Sequence, residues 1–260
     1  MDIRLLVSIT FASMLLLYSC NENPTNSASK INIETGLIAY YPFNGNANDS
    51  TGNGNNGIVH GAQLFEDRNG NPHSAYYFNG DLAYIDLGNS IKLKRYRSDY
   101  SVTGWIYLNQ YPSTYNSIIL SNRNTTTPST SGSFIGVGGM SSSLSKRIEF
   151  IKNATVTDDI YSFDYLSSNT QLELKKWYFF AVTYKYNGDS SNIVKIYIDG
   201  FMESQKKVGE TLDPLNVNTY LGCEPALYPI DYSFNGIMDE IRIYDRVLGD
   251  NEINELYLIN

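Results

Sequence analysis

Oxygen-bearing side chains recur almost every second residue along Asn44-Gly45-Asn46-Ala47-Asn48-Asp49-Ser50-Thr51-Gly52, with glycines that permit sharp turns. Two chemistries use that pattern. A hard cation such as Ca²⁺ takes about six to eight oxygens from side chains and backbone carbonyls on a flexible loop. Alternatively, Asn and Asp side chains accept hydrogen bonds from backbone amides two residues on, and a stack of such Asx turns holds a loop without metal. The leading Asp and closing Glu of an EF-hand loop are absent, so the residues alone leave both readings open.

A second chemistry is sugar recognition. Sugars present hydroxyls and flat C–H faces, which Asn/Asp hydrogen bonds and an aromatic platform complement. The chain holds 22 Tyr against 11 Phe and 2 Trp. Tyr107, Tyr178, Tyr184, Tyr197 and Tyr244 fall in expected strands, where a half-buried sheet wants them. Tyr111, Tyr115, Tyr161, Tyr165, Tyr228 and Tyr232 fall in expected loops. Tyr228 and Tyr232 precede a strand and are the expected ligand-binding pair. Other chemistries are poorly supplied. With 19 basic against 27 acidic residues the net charge is −8, which excludes a phosphate-gripping nucleic-acid binder. Two His, in turn-like segments, and two Cys leave little for a zinc cluster or a Ser/His/Asp centre.

The first twenty residues read as an address. Leu5–Leu17 is nearly all apolar, too short to span a bilayer, which takes about 20 residues, and suited to a signal-peptide apolar region. Leu17-Tyr18-Ser19-Cys20 resembles the lipobox of bacterial lipoproteins. That resemblance implies cleavage before Cys20, lipidation of its thiol and a place in the bacterial cell envelope, at the outer membrane or cell surface. Residues 21–35 are Asn/Ser-rich without apolar periodicity, as a flexible tether is. Cys223 then lacks a disulfide partner and is expected to act as a small buried hydrophobe.

From residue 36 onward, short apolar runs alternate with Gly/Asn/Ser/Pro clusters. Val194–Ile198 alternates with period two and stops at Asp199-Gly200, a half-buried strand ending in a hairpin turn. Trp177–Tyr184 is apolar at both phases, a strand covered on both faces. Tyr100–Tyr107, Ser117–Ser121, Ser133–Val137, Ile148–Ile151 and Ile237–Tyr244 read as further strands. Asp250–Leu258 places Ile253, Leu256 and Tyr257 on one helical face, with acids in its first turn. The expected fold is all-β, a two-sheet antiparallel jelly-roll sandwich with a short C-terminal helix.

Six blocks carry a family resemblance in order. They are Gly36–Asn56, Ala75–Gly80 with Tyr84–Leu87, Tyr100–Ile106, Trp177–Tyr184, Val194–Gly200 and Phe234–Leu248. Together they resemble the laminin G-like, concanavalin A-like jelly-roll domain of bacterial surface lipoproteins, over residues 36–260. The resemblance implies two antiparallel sheets of six or seven strands. It also implies a structural Ca²⁺ held by Asn44, Asn46 and Asp49 together with Asp239. Asn44 and Asn79 stand where the family often has Asp, which lowers the charge offered to a cation.

The same jelly roll hosts glucanases, one family of which carries its acids as Glu-x-Asp-x-x-Glu on a single strand. No such run occurs here. The surroundings of Glu149 and Glu173 lack it, Asp158, Asp159 and Asp164 have other spacings, and the adjacent Asp239 and Glu240 point to opposite faces of a regular strand. The expectation is a lipid-anchored, extracytoplasmic, non-catalytic binding module. Its expected partners are carbohydrate or a cell-surface glycoconjugate, and the membrane through its lipid. A cell-surface adhesion or protein-interaction domain is the alternative, and a glycoside hydrolase of the same fold the third reading.

Overall fold

Short apolar runs bounded by turn residues can bury themselves only by pairing, and pairing gives two antiparallel sheets. The computed structural model describes residues 31–94, 97–113, 115–123, 131–138, 146–157, 160–188, 191–209, 217–225 and 232–259, with 153–157 and 160–163 described through their backbone alone. Residues 31–260 form one compact unit.

The first sheet takes β1 (Leu37–Tyr41), β3 (Gln63–Phe65), β4 (Ala75–Asn79), β6 (Tyr100–Leu108), β11 (Trp177–Lys185), β12 (Asn192–Ile198), β13 (Phe201–Val208) and β15 (Asn235–Tyr244). Its order is β13-β12-β11-β6-β15-β4-β3, with β1 paired to the other half of β15. The second sheet takes β2 (Ile58–His60), β5 (Tyr84–Asp86), β7 (Ser117–Ser121), β8 (Ser133–Val137), β9 (Ile148–Thr157), β10 (Ile160–Ser167) and β14 (Tyr220–Leu221), in the order β10-β9-β8-β7-β14-β5-β2. Two helices complete the described elements, α1 (Ile91–Lys94) and α2 (Asp250–Leu258). The jelly-roll sandwich and its C-terminal helix are as the sequence predicts. Tyr161 and Tyr165, expected in a loop, instead belong to β10, because Ile160–Ser167 pairs along β9.

The main core lies between the sheets. Val102, Ile106, Phe180, Val182, Met238 and Ile241 of the first meet Leu120, Ile135, Val137 and Phe150 of the second. A second cluster lies on the outer face of the first sheet, the face turned away from the other sheet. There Phe179, Ala181, Tyr197 and Tyr244 are roofed by Ile253 and Leu256 of α2. This explains why β11 is apolar at both phases. One phase faces the core and the other faces the helix. Helix α2 starts where the Glu252 carboxylate accepts the Gly249 amide at 2.8 Å. The β12–β13 hairpin turns through Asp199 and Gly200, both with positive φ, as a two-residue turn needs. Cys223 is fully buried, and burial pushes its thiol pKa up.

Strand β15 sits against β6 closely enough to exclude a side chain at Gly236. A Cβ there would stand 2.1 Å from the Tyr107 carbonyl oxygen. Gly236→Ala is therefore expected to lower the unfolding free energy by about 1–3 kcal/mol, the usual cost of overpacking. Urea unfolding measures it. An unchanged midpoint would show that β15 moves off β6 without penalty.

Candidate functional site

The outer face of the first sheet carries a row of side chains in register. Gln63, Tyr77, Ile237, Tyr107 and Trp177 are successive partners across β3, β4, β15, β6 and β11. Paired residues of antiparallel neighbours project on one side of the sheet. At a strand spacing of about 4.8 Å the row from Tyr77 to Trp177 runs about 14 Å. Tyr77, Tyr107 and Trp177 are half-buried, so their rings stay open to solvent.

These rings line a groove of about 410 Å³. The Tyr107 and Trp177 rings stand 5.5 Å apart and those of Phe65 and Tyr77 stand 5.9 Å apart. Ile237 forms part of the lining between them, and Glu66, Asp67 and Asn109 supply its polar groups. Asp67 also fixes the turn beyond β3. Its Oδ1 accepts the amides of Asn69 and Asn71, and its Oδ2 accepts Asn71 Nδ2. Burial raises the Asp67 pKa, but the hydrogen bonds from Asn71 and Asn69 outweigh it and hold the carboxyl below its ordinary value.

The next residue anchors this loop. Arg68 Nη1 donates to Asp239 Oδ2 at 2.5 Å, and its guanidinium lies 4.6 Å from the Trp105 ring centroid. Asp239 is 2% exposed, and burial pushes its pKa up to about 7, with the Glu240 charge adding and Arg68 opposing. Glu240 sits at φ 55° in a register shift of β15 against β6. This β-bulge overturns the expectation that Asp239 and Glu240 face opposite ways. Glu240 accepts the Tyr40 hydroxyl at 2.8 and 2.9 Å and pairs with Arg242 at 2.6 Å, on the same outer face as Asp239.

The 44–57 loop resolves into Asx turns. Asn46 Oδ1 accepts the Asn48 amide and Asp49 Oδ1 accepts the Thr51 amide. The Asp49 carboxylate is the hub. Its Oδ1 also accepts the Tyr40 amide and the Thr51 hydroxyl, and its Oδ2 accepts the amide and side-chain nitrogen of Asn55. Burial raises the Asp49 pKa, but the bonds from Thr51, Tyr40 and Asn55 outweigh it and keep the carboxyl below its ordinary value.

The expected calcium ligands do not fit a cation as arranged. Asn44, Asn46 and Asp49 share the loop, but both Asp49 oxygens are already taken by donors. Asp239 is held by a cation of the protein's own, Arg68. Among the described residues no group of three or more His, Cys, Asp or Glu converges to hold a metal.

Of the expected ligand pair, Tyr228 lies outside the described residues, as does Cys20. Tyr232 stacks on Tyr115 with ring centroids 5.1 Å apart, and Arg123 lies 5.6 Å from its ring. Tyr111 is tied down through its hydroxyl to the Leu172 carbonyl. Sequence reasoning missed the groove because it counted Tyr107 among the strand tyrosines of a half-buried sheet and looked for the ligand in the loops. The usable signal was cross-strand register, which needs the pairing.

Among the described residues, the second sheet and the segment after β14 hold two buried acids that do not line the groove. Glu149 lies under hydrogen bonds from Asn116 and Ser167, and Glu224 is paired with Arg123 at 3.1 Å and bonded by Ser121. Burial raises both carboxyls.

Comparison with known proteins places this architecture. The family model described as the concanavalin A-like lectin/glucanases superfamily, Laminin_G_3, matches residues 79–254, and the chain belongs to that family. Solved structures share the fold at low identity. The binding domain of Paraclostridial Mosquitocidal Protein 1 superposes with TM-score 0.65 at 14% identity, over 87% of this chain and 52% of that one. Domain 4 of AbnA, a GH43 extracellular arabinanase from Geobacillus stearothermophilus solved with arabinotriose, gives 0.58 at 20% identity, over 85% and 98%. The botulinum neurotoxin serotype D binding domain gives 0.57 at 18% identity, over 85% and 50%. The chain thus spans about half the length of the two toxin domains. No curated protein matches it.

The Asp49 hub sets a pH dependence. A carboxyl whose folded pKa is depressed stabilises the fold fully above its unfolded value, about 3.9, and loses that contribution as the pH falls through the folded value. Asp49→Asn is expected to cost about 1–3 kcal/mol at neutral pH, from buried amides left without an acceptor. The deficit should shrink as the pH drops below about 4. Thermal unfolding of both proteins across pH checks this. A deficit that does not change with pH would remove the carboxylate charge from the account. Calcium is expected to leave the melting temperature unchanged. A rise that Asp49→Asn abolishes would restore the calcium reading.

Proposed function

We propose that the protein is a non-catalytic carbohydrate-binding module, carried on the bacterial envelope by a lipid on Cys20. The observation that carries the binding reading is the register-aligned row of Tyr77, Tyr107 and Trp177 on an uncovered sheet face. Aromatic faces stack on the C–H faces of sugar rings, and flanking polar groups take hydroxyl hydrogen bonds. A row of about 14 Å suits about three linked pyranose rings lying across the strands. The structural likeness to an arabinanase domain solved with arabinotriose supports the same ligand class. The family also contains glucanases, but the groove's acids, Glu66 and Asp67, are neighbours on one side, without a second carboxylate across from them among its lining residues.

Tyr107→Ala and Trp177→Ala are each expected to weaken binding to a retained polysaccharide by about tenfold, with little change in melting temperature. Affinity electrophoresis over a polysaccharide panel measures it. The same panel run with Tyr232→Ala separates the groove from the loop edge. Loss with Tyr232→Ala and not with Tyr107→Ala would return the ligand to the Tyr228 and Tyr232 region. A reducing-end assay on the bound polysaccharide tests the absence of catalysis, which steady release of new ends would overturn.

The anchor rests on the order of residues 1–20: a short apolar run ending Leu17-Tyr18-Ser19-Cys20. Cys20→Ser is expected to abolish incorporation of labelled fatty acid and to move the protein out of the membrane fraction. Retained label would place the lipid elsewhere.

A further inference from the structure

We propose that the aromatic groove selects glycans that carry free amines, sugars whose nitrogen is an ammonium group at working pH. The inference rests on the carbohydrate reading and names the sugar class.

Three features of the groove point the same way. Its rings are Phe65, Tyr77, Tyr107 and Trp177, and the face of each ring is the negative end of its quadrupole, which attracts a cation. Beside them stand two carboxylates, Glu66 and Asp67. Glu66 is exposed and free to swing toward a ligand. Asp67 is fixed by the donors of Asn69 and Asn71, which favour its charged form. The lining holds no Lys or Arg among the described residues.

Two neighbouring cations have partners of their own. Arg68 is paired with Asp239 and lies over Trp105, and its charge also favours the ionised form of Asp67, so Glu66 is the acid it leaves to a ligand. Lys176 pairs with Glu173 and lies over the Tyr178 ring, whose side chain belongs to the core face. The net charge of −8 adds a long-range attraction of the same sign.

These features rank the sugar classes. A neutral sugar would stack on the rings and use Glu66 only through hydroxyl hydrogen bonds, gaining nothing from its charge. A uronate or a sulfated sugar would bring its anion against the charges of Glu66 and Asp67, which disfavours it. An ammonium group on a flat pyranose uses the ring faces and the Glu66 carboxylate together, with the charge of Asp67 adding from beside them.

The test compares three β-1,4-linked hexasaccharides of one backbone, built from glucosamine, N-acetylglucosamine or glucose. Each is titrated calorimetrically into the full chain held in detergent, in weakly acidic buffer. The glucosamine hexamer is expected to bind about tenfold more tightly than the other two, and the advantage should fall as salt rises. Glu66→Gln, which keeps a hydrogen-bonding oxygen at an exposed position, should remove most of the advantage of the glucosamine hexamer over the glucose hexamer. Tyr107→Ala should also abolish the advantage. An advantage that survives Tyr107→Ala is general attraction to an acidic protein and overturns the proposal. Equal affinity for the three hexamers overturns the amine preference and leaves the carbohydrate reading intact. Failure of every glycan to bind in a Tyr107-dependent way defeats both.

Discussion

The register of β15 decides what the outer face of the first sheet can be. Strand β15 is paired along one side by β6 and along the other by β4 and then β1. Period-two alternation from Met238 in the core would point Ile241 and Ile243 outward and Arg242 inward. The extra residue at Glu240 reverses the phase, so Ile241 and Ile243 reach the core while Arg242 meets Tyr40 outside. Before the bulge, the same strand sets Ile237 between Tyr77 and Tyr107. One irregularity thus permits a polar cluster at Asp239–Arg242 and an aromatic row a few residues away. Burying the Arg242 guanidinium in an apolar core would cost far more than the local strain of one positive φ.

The loop after β1 shows how one carboxylate can organise a backbone. The Asp49 oxygens collect donors from β1, from their own turn and from Asn55 six residues on. Those donors would otherwise be buried amides without acceptors, each a loss comparable to the whole net value of an ordinary hydrogen bond. The Tyr41 hydroxyl closes the arrangement from inside the core, donating to the Asn55 carbonyl at 2.7 Å. The loop is held by its own hydrogen bonds, with Asp49 at their centre.

The strand-forming segments and α2 were legible because their periodicity is local. Trp177–Tyr184 announced a strand covered on both faces, and Asp250–Leu258 announced the helix that covers one of them. The bulge at Glu240 was not read, although the adjacent acids Asp239 and Glu240 break the period-two alternation between Met238 and Ile241; the positive φ itself leaves no mark in composition. The groove was hidden for a related reason. Tyr77, Tyr107 and Trp177 lie on strands that are distant in sequence, and only the inter-strand register puts them in one row. Half-buried aromatic residues in strands look alike in sequence whether a helix or solvent covers them.

The division of the outer face carries the functional argument furthest. Helix α2 roofs the part with Phe179, Tyr197 and Tyr244 and ends by packing Tyr257 against Trp105, with ring centroids 5.7 Å apart. Arg68 also lies over Trp105, with a charge that Asp239 balances. Beyond that boundary Tyr107, Tyr77 and Trp177 stand uncovered, although the next row of the same strands is sealed. Folding gains little from leaving large rings half in water, because the apolar burial that would stabilise them is incomplete. A row of such rings, aligned by pairing and edged by fixed polar groups, is better accounted for by a ligand that completes the burial than by the stability of the free protein.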